Sequence, residues 1–412
     1  MQWTSRSGVL RLGNNTYWYC LVSMDRRSFL LGTGTLALGQ LLPGCGGKDG
    51  ATLRVQLLKG SIPAQVVNEF RAKHPEELKF TPVEQLKDLF TYLQSWRQQP
   101  TTRADNWLPL RLPEIPFINP KPMAIDLVTL GDYWLGTAIE QKLIQPIAPA
   151  QLQQWQQLPE EWKELVRRND RGQKVKDPQG KIWGAPYRWG STVIAYNRDK
   201  FKSLKGGPPR DWSDLWREEL RERISLLDQP REVIGLTLKK LGQSYNTLDL
   251  NKVPDLEKEL SDLHRQVKLY SSDTYLQPLI LGDTWLAVGW STDVLRVMQR
   301  YKQIAAVVPA SGTALWADLW VSPVGEAATS DLSHKWIDFC WQQTAREQIS
   351  LLSKGSSPIP VTLNPADIQK GLRSLLLSDP QIFQRSEFLL PLPKATLQQY
   401  QSLWQKIRQS RG

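Results

Sequence analysis

The sequence predicts an α/β protein built as two lobes. Three observations lead there. At 412 residues the chain is longer than one ordinary core organises. Apolar residues at 41% and charged residues at 23% describe a chain that folds into a globule. Short β-branched runs alternate with helical stretches along most of its length, the pattern of α/β lobes.

The first element is an address. From Met24 the sequence reads Asp25-Arg26-Arg27-Ser28-Phe29-Leu30-Leu31, then a weakly apolar segment to Leu42, then Pro43-Gly44-Cys45. A paired arginine, a short apolar stretch and a small residue before the cut make a tripartite export signal. Arg26 and Arg27 ahead of Phe-Leu point to the twin-arginine route, which carries folded cargo. Cys45 after Leu42-Pro43-Gly44 resembles a bacterial lipobox and is the expected lipidation site, although proline is unusual there. The alternative is a plain signal peptide with an incidental cysteine. Residues 24–45 are thus read as a lipoprotein signal, residues 1–23 as a non-native upstream extension with Met24 as the start, and Gly46 to Gly50 as a flexible tether. The expectation is a periplasmic protein anchored to the membrane surface.

The folded part opens with a strand, Ala51 to Leu58, and a helix from Pro63 through Phe70. Proline-crowded, aperiodic sequence from Arg97 to Lys121 predicts a long surface insertion. Ala124 to Leu130 is a buried-type strand ending in Gly131-Asp132-Tyr133-Trp134, and ligands of open α/β sheets gather at such carboxyl ends. A helical region is expected from Pro149 to Arg168, and a β-branched strand from Ser191 to Asn197, the first crossing between lobes. Helices around 211–222, 231–242 and 254–267 alternate with strands at Leu286 to Trp290 and Ile304 to Val308. Trp316 to Val321 is the return crossing, and the tail from Ser374 to Arg411 is mostly helical. The domain boundaries drawn on this basis are 46–188 plus 318–362 for one lobe and 189–317 plus 363–412 for the other.

Several function classes lack support. A net charge of +11 invites a nucleic-acid reading, but the basic residues are scattered among acids and form no block or motif. No run of 18 apolar residues exists to span a bilayer. Three cysteines, Cys20, Cys45 and Cys340, make no disulfide framework. His74, His264 and His334 are isolated, so no metal site is expected. No nucleophile elbow, HExxH motif, paired cysteines or phosphate loop is present, and neither an enzyme nor a cofactor is predicted.

Four blocks, in order, carry a resemblance: Trp183-Gly184-Ala185-Pro186-Tyr187-Arg188-Trp189-Gly190 through Tyr196-Asn197; Asp211-Trp212-Ser213-Asp214-Leu215-Trp216; Leu227-Asp228-Gln229-Pro230-Arg231-Glu232-Val233-Ile234 through Leu241-Gly242; and Val288-Gly289-Trp290 with Leu315-Trp316-Ala317-Asp318. The set resembles the spermidine/putrescine-binding proteins of bacterial ABC importers over residues 53–362, with the tail through Tyr400 and Trp404 also fitting. The resemblance implies a class II periplasmic binding fold, two lobes hinged around a ligand, and an ABC permease as partner to a monomeric receptor. It implies aromatic walls at Trp290 and Trp316, carboxylates at Glu232 and Asp318, and a further contact from Tyr133. Such a set suits a flexible stem with ammonium ends. In isolation, a core tryptophan, a helix N-terminal glutamate or a capping aspartate reads the same.

Departures from the family pattern bear on the ligand. Gln229 stands where the family has a second acid, with Asp228 beside it. First-lobe contacts fall on Leu58, Lys59 and Ser61, a family serine falls on Gly131, and a family tyrosine falls in Gly355-Ser356-Ser357. A lysine close to the pocket would repel a polycation, while Asp132 could replace a lost carboxylate. The ligand is therefore read as a polyamine or a related small cationic or polar solute. The alternatives are an exported sensor or scaffold with altered ligand binding, or a folded-exported enzyme.

Overall fold

The computed structural model describes residues 52–98, 125–176, 179–325, 330–361, 375 and 380–410. The export signal with Arg26, Arg27 and Cys45, the tether, and residues 99–121 of the proposed insertion lie outside that set. In chain order the strands are β1 (Thr52–Leu58), β2 (Glu77–Val83), β3 (Leu127–Gly131), β4 (Ile144–Gln145), β5 (Arg167–Arg168), β6 (Lys181–Ile182), β7 (Ala185–Asn197), β8 (Ile224–Leu226), β9 (Val267–Tyr270), β10 (Leu286–Trp290), β11 (Ile304–Val307), β12 (Ala314–Pro323) and β13 (Glu387–Phe388). The helices are α1 (Ala64–Lys73), α2 (Leu86–Gln98), α3 (Asp132–Glu140), α4 (Glu160–Val166), α5 (Arg198–Phe201), α6 (Pro230–Lys240), α7 (Leu256–Gln266), α8 (Gln277–Leu281), α9 (Ser291–Arg300), α10 (Asp331–Trp341) and α11 (Gln343–Ser353). Helices Pro380–Arg385 and Lys394–Gln409 close the chain.

One hydrogen-bonded network joins the strands in the order β2-β1-β3-β12-β7-β10-β8-β9, with β4 and β13 on β12 and β11 on β7. Two long strands hold it together. The first part of β7 pairs antiparallel with β12, and the second part pairs with β10 and β11. From β12, Asp318 to Val321 pairs with β3, while Ala314 and Leu315 pair with β13. Parallel β1, β2 and β3 on one side and parallel β8, β9 and β10 on the other are fed by crossover helices, the α/β arrangement.

The apolar side chains separate accordingly. One core gathers β1, β3, the start of β7, the middle of β12 and helices α10 and α11, with Trp320, Trp336 and Trp341 fully buried. A second core, with Trp212, Tyr245 and Tyr400, lies around α6, α7 and the last helix. A smaller cluster beside it fills the space under α8 and α9.

Several expectations are corrected here. Residues 149–168 are not one helix but two 3-10 turns and the short α4. Asp338 accepts from the backbone N–H groups of Gln153 and Gln154 at 2.9 and 3.0 Å, a tertiary bond that takes the place of helical ones. Residues 211–222 likewise form 3-10 turns, because Asp211 and Asp214 cap each other across one turn and Arg217 then adopts extended geometry. The described part of the tail is mostly helical as expected, with extended chain and β13 between its two helices.

Candidate functional site

Two parallel pairs of strands, β1 with β3 and β8 with β10, run in opposite directions, and the carboxyl ends of all four deliver parts of the candidate site. From β3 the chain enters α3 at Asp132 and Tyr133; from β8 it enters α6 with Glu232 in the first turn; from β10 it enters α9 at Trp290, Ser291 and Asp293; and β1 ends at Leu58 and Lys59. Across these ends run β7 and β12. Alternation in a strand puts Arg188, Gly190 and Thr192 on one face of β7 and Trp316 and Asp318 on one face of β12. Register then makes Arg188 the cross-strand partner of Asp318, and Gly190 that of Trp316. A β-bulge follows Asp318, a device that re-aims a side chain.

The centre is a buried ion pair. Arg188 Nε donates to Asp318 Oδ2 at 2.6 Å, with both side chains withdrawn from solvent (4% and 1% exposed). The Arg188 guanidinium also lies 5.6 Å from the ring centre of half-buried Trp316, a cation–π contact. The indole itself rests on Gly190, where a Cβ would come within 2.3 Å of it. Arg188 Nη1, Asp318 Oδ1 and Trp316 Nε1 are buried without hydrogen-bond partners among the described residues.

Around that pair sit more acids. Asp132 accepts from the Ala317 backbone N–H at 2.8 Å, and burial, reinforced by the charge of Asp318, pushes its carboxyl up to about 7. Glu232 accepts from the Thr192 hydroxyl at 3.0 Å and from the Trp290 indole N–H; burial pushes it up to about 7. Asp293 accepts from the Tyr275 hydroxyl at 3.1 Å and is raised by burial. Tyr275 in turn holds the Trp290 backbone N–H at 3.2 Å and meets the Trp290 ring edge to face.

Trp290, Trp316, Asp318, Glu232 and Asp132 thus share one neighbourhood, and Tyr133 is half-buried at the start of α3. Asp228 and Gln229 are exposed ahead of α6, where Gln229 reaches Ser272 at 3.4 Å. Lys59 is corrected as the repelling charge: it is exposed and paired with Glu84 at 2.6 Å. Two buried cations border the site, Arg231 beside Glu232 and Arg188 beside Asp318, and Arg188 was quoted in the sequence motif but given no role. Its signal was its position, two residues before the glycine of Trp189-Gly190 on a strand otherwise apolar and hydroxylic. Ser61 is fully buried. The Gly355-Ser356-Ser357 stretch is clamped to β7 by reciprocal Trp189 and Ser356 backbone bonds of 2.8 Å, and its glycine leaves room for the Arg188 stem.

Other features carry less. A groove of about 800 Å³ between Leu256 and the last helix is open to solvent and remote from these acids. Cys340 is buried, and burial raises its thiol pKa. Among the described residues no group of His, Cys, Asp and Glu is placed to hold a metal, and no helix is long and apolar enough to cross a membrane.

Acids and aromatic side chains gather at these strand ends, and residues 123–373, which contain nearly all of them, match the model of the bacterial extracellular solute-binding proteins. The chain belongs to that family. Among curated relatives of this solute-binding protein, it is 26% identical over 264 residues to spermidine/putrescine-binding periplasmic protein 1 of Haemophilus influenzae, covering 64% of this chain and 68% of that one. It is 26% identical over 288 residues to the putrescine-binding periplasmic protein PotF of Escherichia coli, covering 62% and 75%. In structure it is similar to the spermidine/putrescine substrate-binding protein PotD of Streptococcus pneumoniae, with a TM-score of 0.72 at 18% identity over 88% of this chain and 99% of that one. That likeness establishes the two-lobed periplasmic binding protein fold. The relatives bind solutes and are not enzymes, and this chain is placed with them.

Proposed function

We propose that this solute-binding protein is the exported, membrane-tethered receptor of an ABC importer, taking a small amine-bearing solute between its lobes and delivering it to the permease. The lobes proposed are 46–188 plus 318–362 and 189–317 plus 363–412. The arrangement of the two main cores supports this division, since β7 and β12 pass from one to the other. Export by the twin-arginine signal and lipidation at Cys45 belong to the same proposal and rest on the sequence.

The observation that carries the amine is Glu232. Its carboxyl is buried at the head of α6, held by the Thr192 hydroxyl and the Trp290 indole N–H. Burying a carboxylate is costly, and burial raises the Glu232 pKa to about 7 although the Thr192 and Trp290 hydrogen bonds and the charge of Arg231 all pull it down. An ammonium beside Glu232 supplies a direct counter-charge, and the neighbouring Trp290 ring offers it an aromatic surface. The polyamine-binding names of the relatives agree with an amine.

Calorimetric titration of the full chain with a panel of mono-, di- and polyamines and amino acids tests the assignment. At least one amine binds saturably, and Glu232→Gln weakens it tenfold or more. Unchanged affinity in that variant removes Glu232 from the site.

A further inference from the structure

We propose that Arg188 makes one end of the cleft a carboxylate subsite, so that the solute is a zwitterion with one ammonium and one carboxylate. This rests on the amine-binding reading above and narrows its substrate class.

The argument begins with donors. Arg188 spends Nε on Asp318, and Nη1 remains buried with no acceptor among the described residues. Trp316 Nε1 is in the same position, and the two groups are in ring contact. Both are donors only. An ammonium is also a donor only and cannot satisfy either of them, whereas a carboxylate accepts from both, and guanidinium–carboxylate bonds are among the strong ones.

The acids lead to the same place. A diamine needs two free carboxylates, one at each end. Asp318 has one oxygen on Arg188, Asp132 is engaged by the Ala317 N–H, and Asp293 is held by Tyr275 and paired with Arg296 at 3.4 Å. Glu232, whose described protein donors are neutral, is the acid best placed for a single ammonium. It bonds Thr192, four residues along β7 from Arg188 and on the same face. That is about 13 Å of strand between the two Cα positions, so the two groups meet the solute at separate points. The second open acceptor, Asp318 Oδ1, lies beside the guanidinium and would instead suit an ammonium adjacent to the carboxylate. Both geometries are zwitterions and differ only in spacing.

The test uses four-carbon probes of matched size: 1,4-diaminobutane, 4-aminobutanoate, 2-aminobutanoate and succinate, each titrated calorimetrically into the full chain. One aminobutanoate is expected to bind at least tenfold tighter than the diamine. The 4-isomer places the ammonium at Glu232, and the 2-isomer places it at Asp318 Oδ1. Arg188→Met should lower aminobutanoate affinity tenfold or more and raise that of the diamine, because Asp318 is released. The double variant Arg188→Met with Asp318→Asn, which removes both charges together, should lose the aminobutanoate without gaining the diamine. Diamine binding by the wild type as tight as, or tighter than, either aminobutanoate overturns the Arg188 inference and leaves the amine reading standing. Tightest binding of succinate, or undiminished aminobutanoate binding by Arg188→Met, also overturns it. Silence from every probe and from the wider amine panel removes both. Should the variants fail to fold, the wild-type ranking alone decides.

Discussion

At Gly190 a single methyl group separates an open platform from a collision. A Cβ there would meet Trp316 Cζ2 at 2.3 Å and Ser291 Oγ at 2.6 Å, distances that require the indole to move. The Arg188 guanidinium lies 5.6 Å from the centre of the same ring, so the displacement passes to the ion pair. Gly190→Ala is therefore expected to cut solute affinity tenfold or more, while the melting temperature falls by only a few degrees, since overpacking at one site costs ~1–3 kcal/mol. Equal solute affinity in wild type and variant would mean that Trp316 is not a wall of the site. Sequence reading marked Trp316, Asp318, Trp290 and Glu232 from ordered motifs. It passed over Arg188 and Gly190 because their roles depend on register: nothing in the sequence says that residue 188 will sit opposite 318. The lysine singled out as a repelling charge was marked because a first-lobe contact of the family falls on it, and Glu84, from a different loop, pairs with it.

At the scale of elements, the strands were more legible than the helices. β10 spans Leu286 to Trp290 as its short apolar run implied, and the runs at 304–308 and 316–321 appear as β11 and part of β12. β2 was missed because an edge strand alternates weakly and carries Pro82, which only an edge tolerates. The helical region expected at 149–168 holds α4 but opens in 3-10 turns where Asp338 claims backbone donors, and the helix expected at 211–222 gives way to 3-10 turns at the Asp211–Asp214 cap, contacts that periodicity does not report. One junction between elements lends itself to measurement. Asp132 starts α3 and ties it to β12 through Ala317. Its pKa is raised, chiefly by burial, to about 7. The folded protein therefore binds this proton more tightly than the unfolded chain does. The associated stability is present below the unfolded value of about 4 and is lost as pH rises through about 7. Asp132→Asn keeps an acceptor for Ala317 and removes the titration. Relative to wild type, its unfolding free energy should gain ~1–4 kcal/mol between pH 5 and 8 in urea melts of the unliganded protein. A constant difference across that range would mean that Asp132 does not titrate there.

For the whole molecule, the two main cores and the strands between them set how it comes apart. Trp336 is fully buried in the first core, edge to face with Phe70 at 5.0 Å and Trp320 at 5.9 Å. Neither it nor its ring partners belong to the second core, whose packing centres on α6, α7 and the last helix. Trp336→Ala removes a large side chain that its neighbours cannot replace, at a cost of ~3–5 kcal/mol. If the cores are coupled chiefly through β7 and β12, that loss stays local. Hydrogen exchange of the unliganded variant should then show faster exchange for amides of β1, β3 and α10, with β8, β10 and α6 keeping wild-type protection. A bound solute contacting both cores adds its binding energy to the coupling, and the difference between the two halves should narrow at saturating ligand. Uniform acceleration across both cores without ligand would show instead that the molecule opens as one cooperative unit, and hinge closure would then have to be a rigid rotation at β7 and β12 with no softening of either lobe.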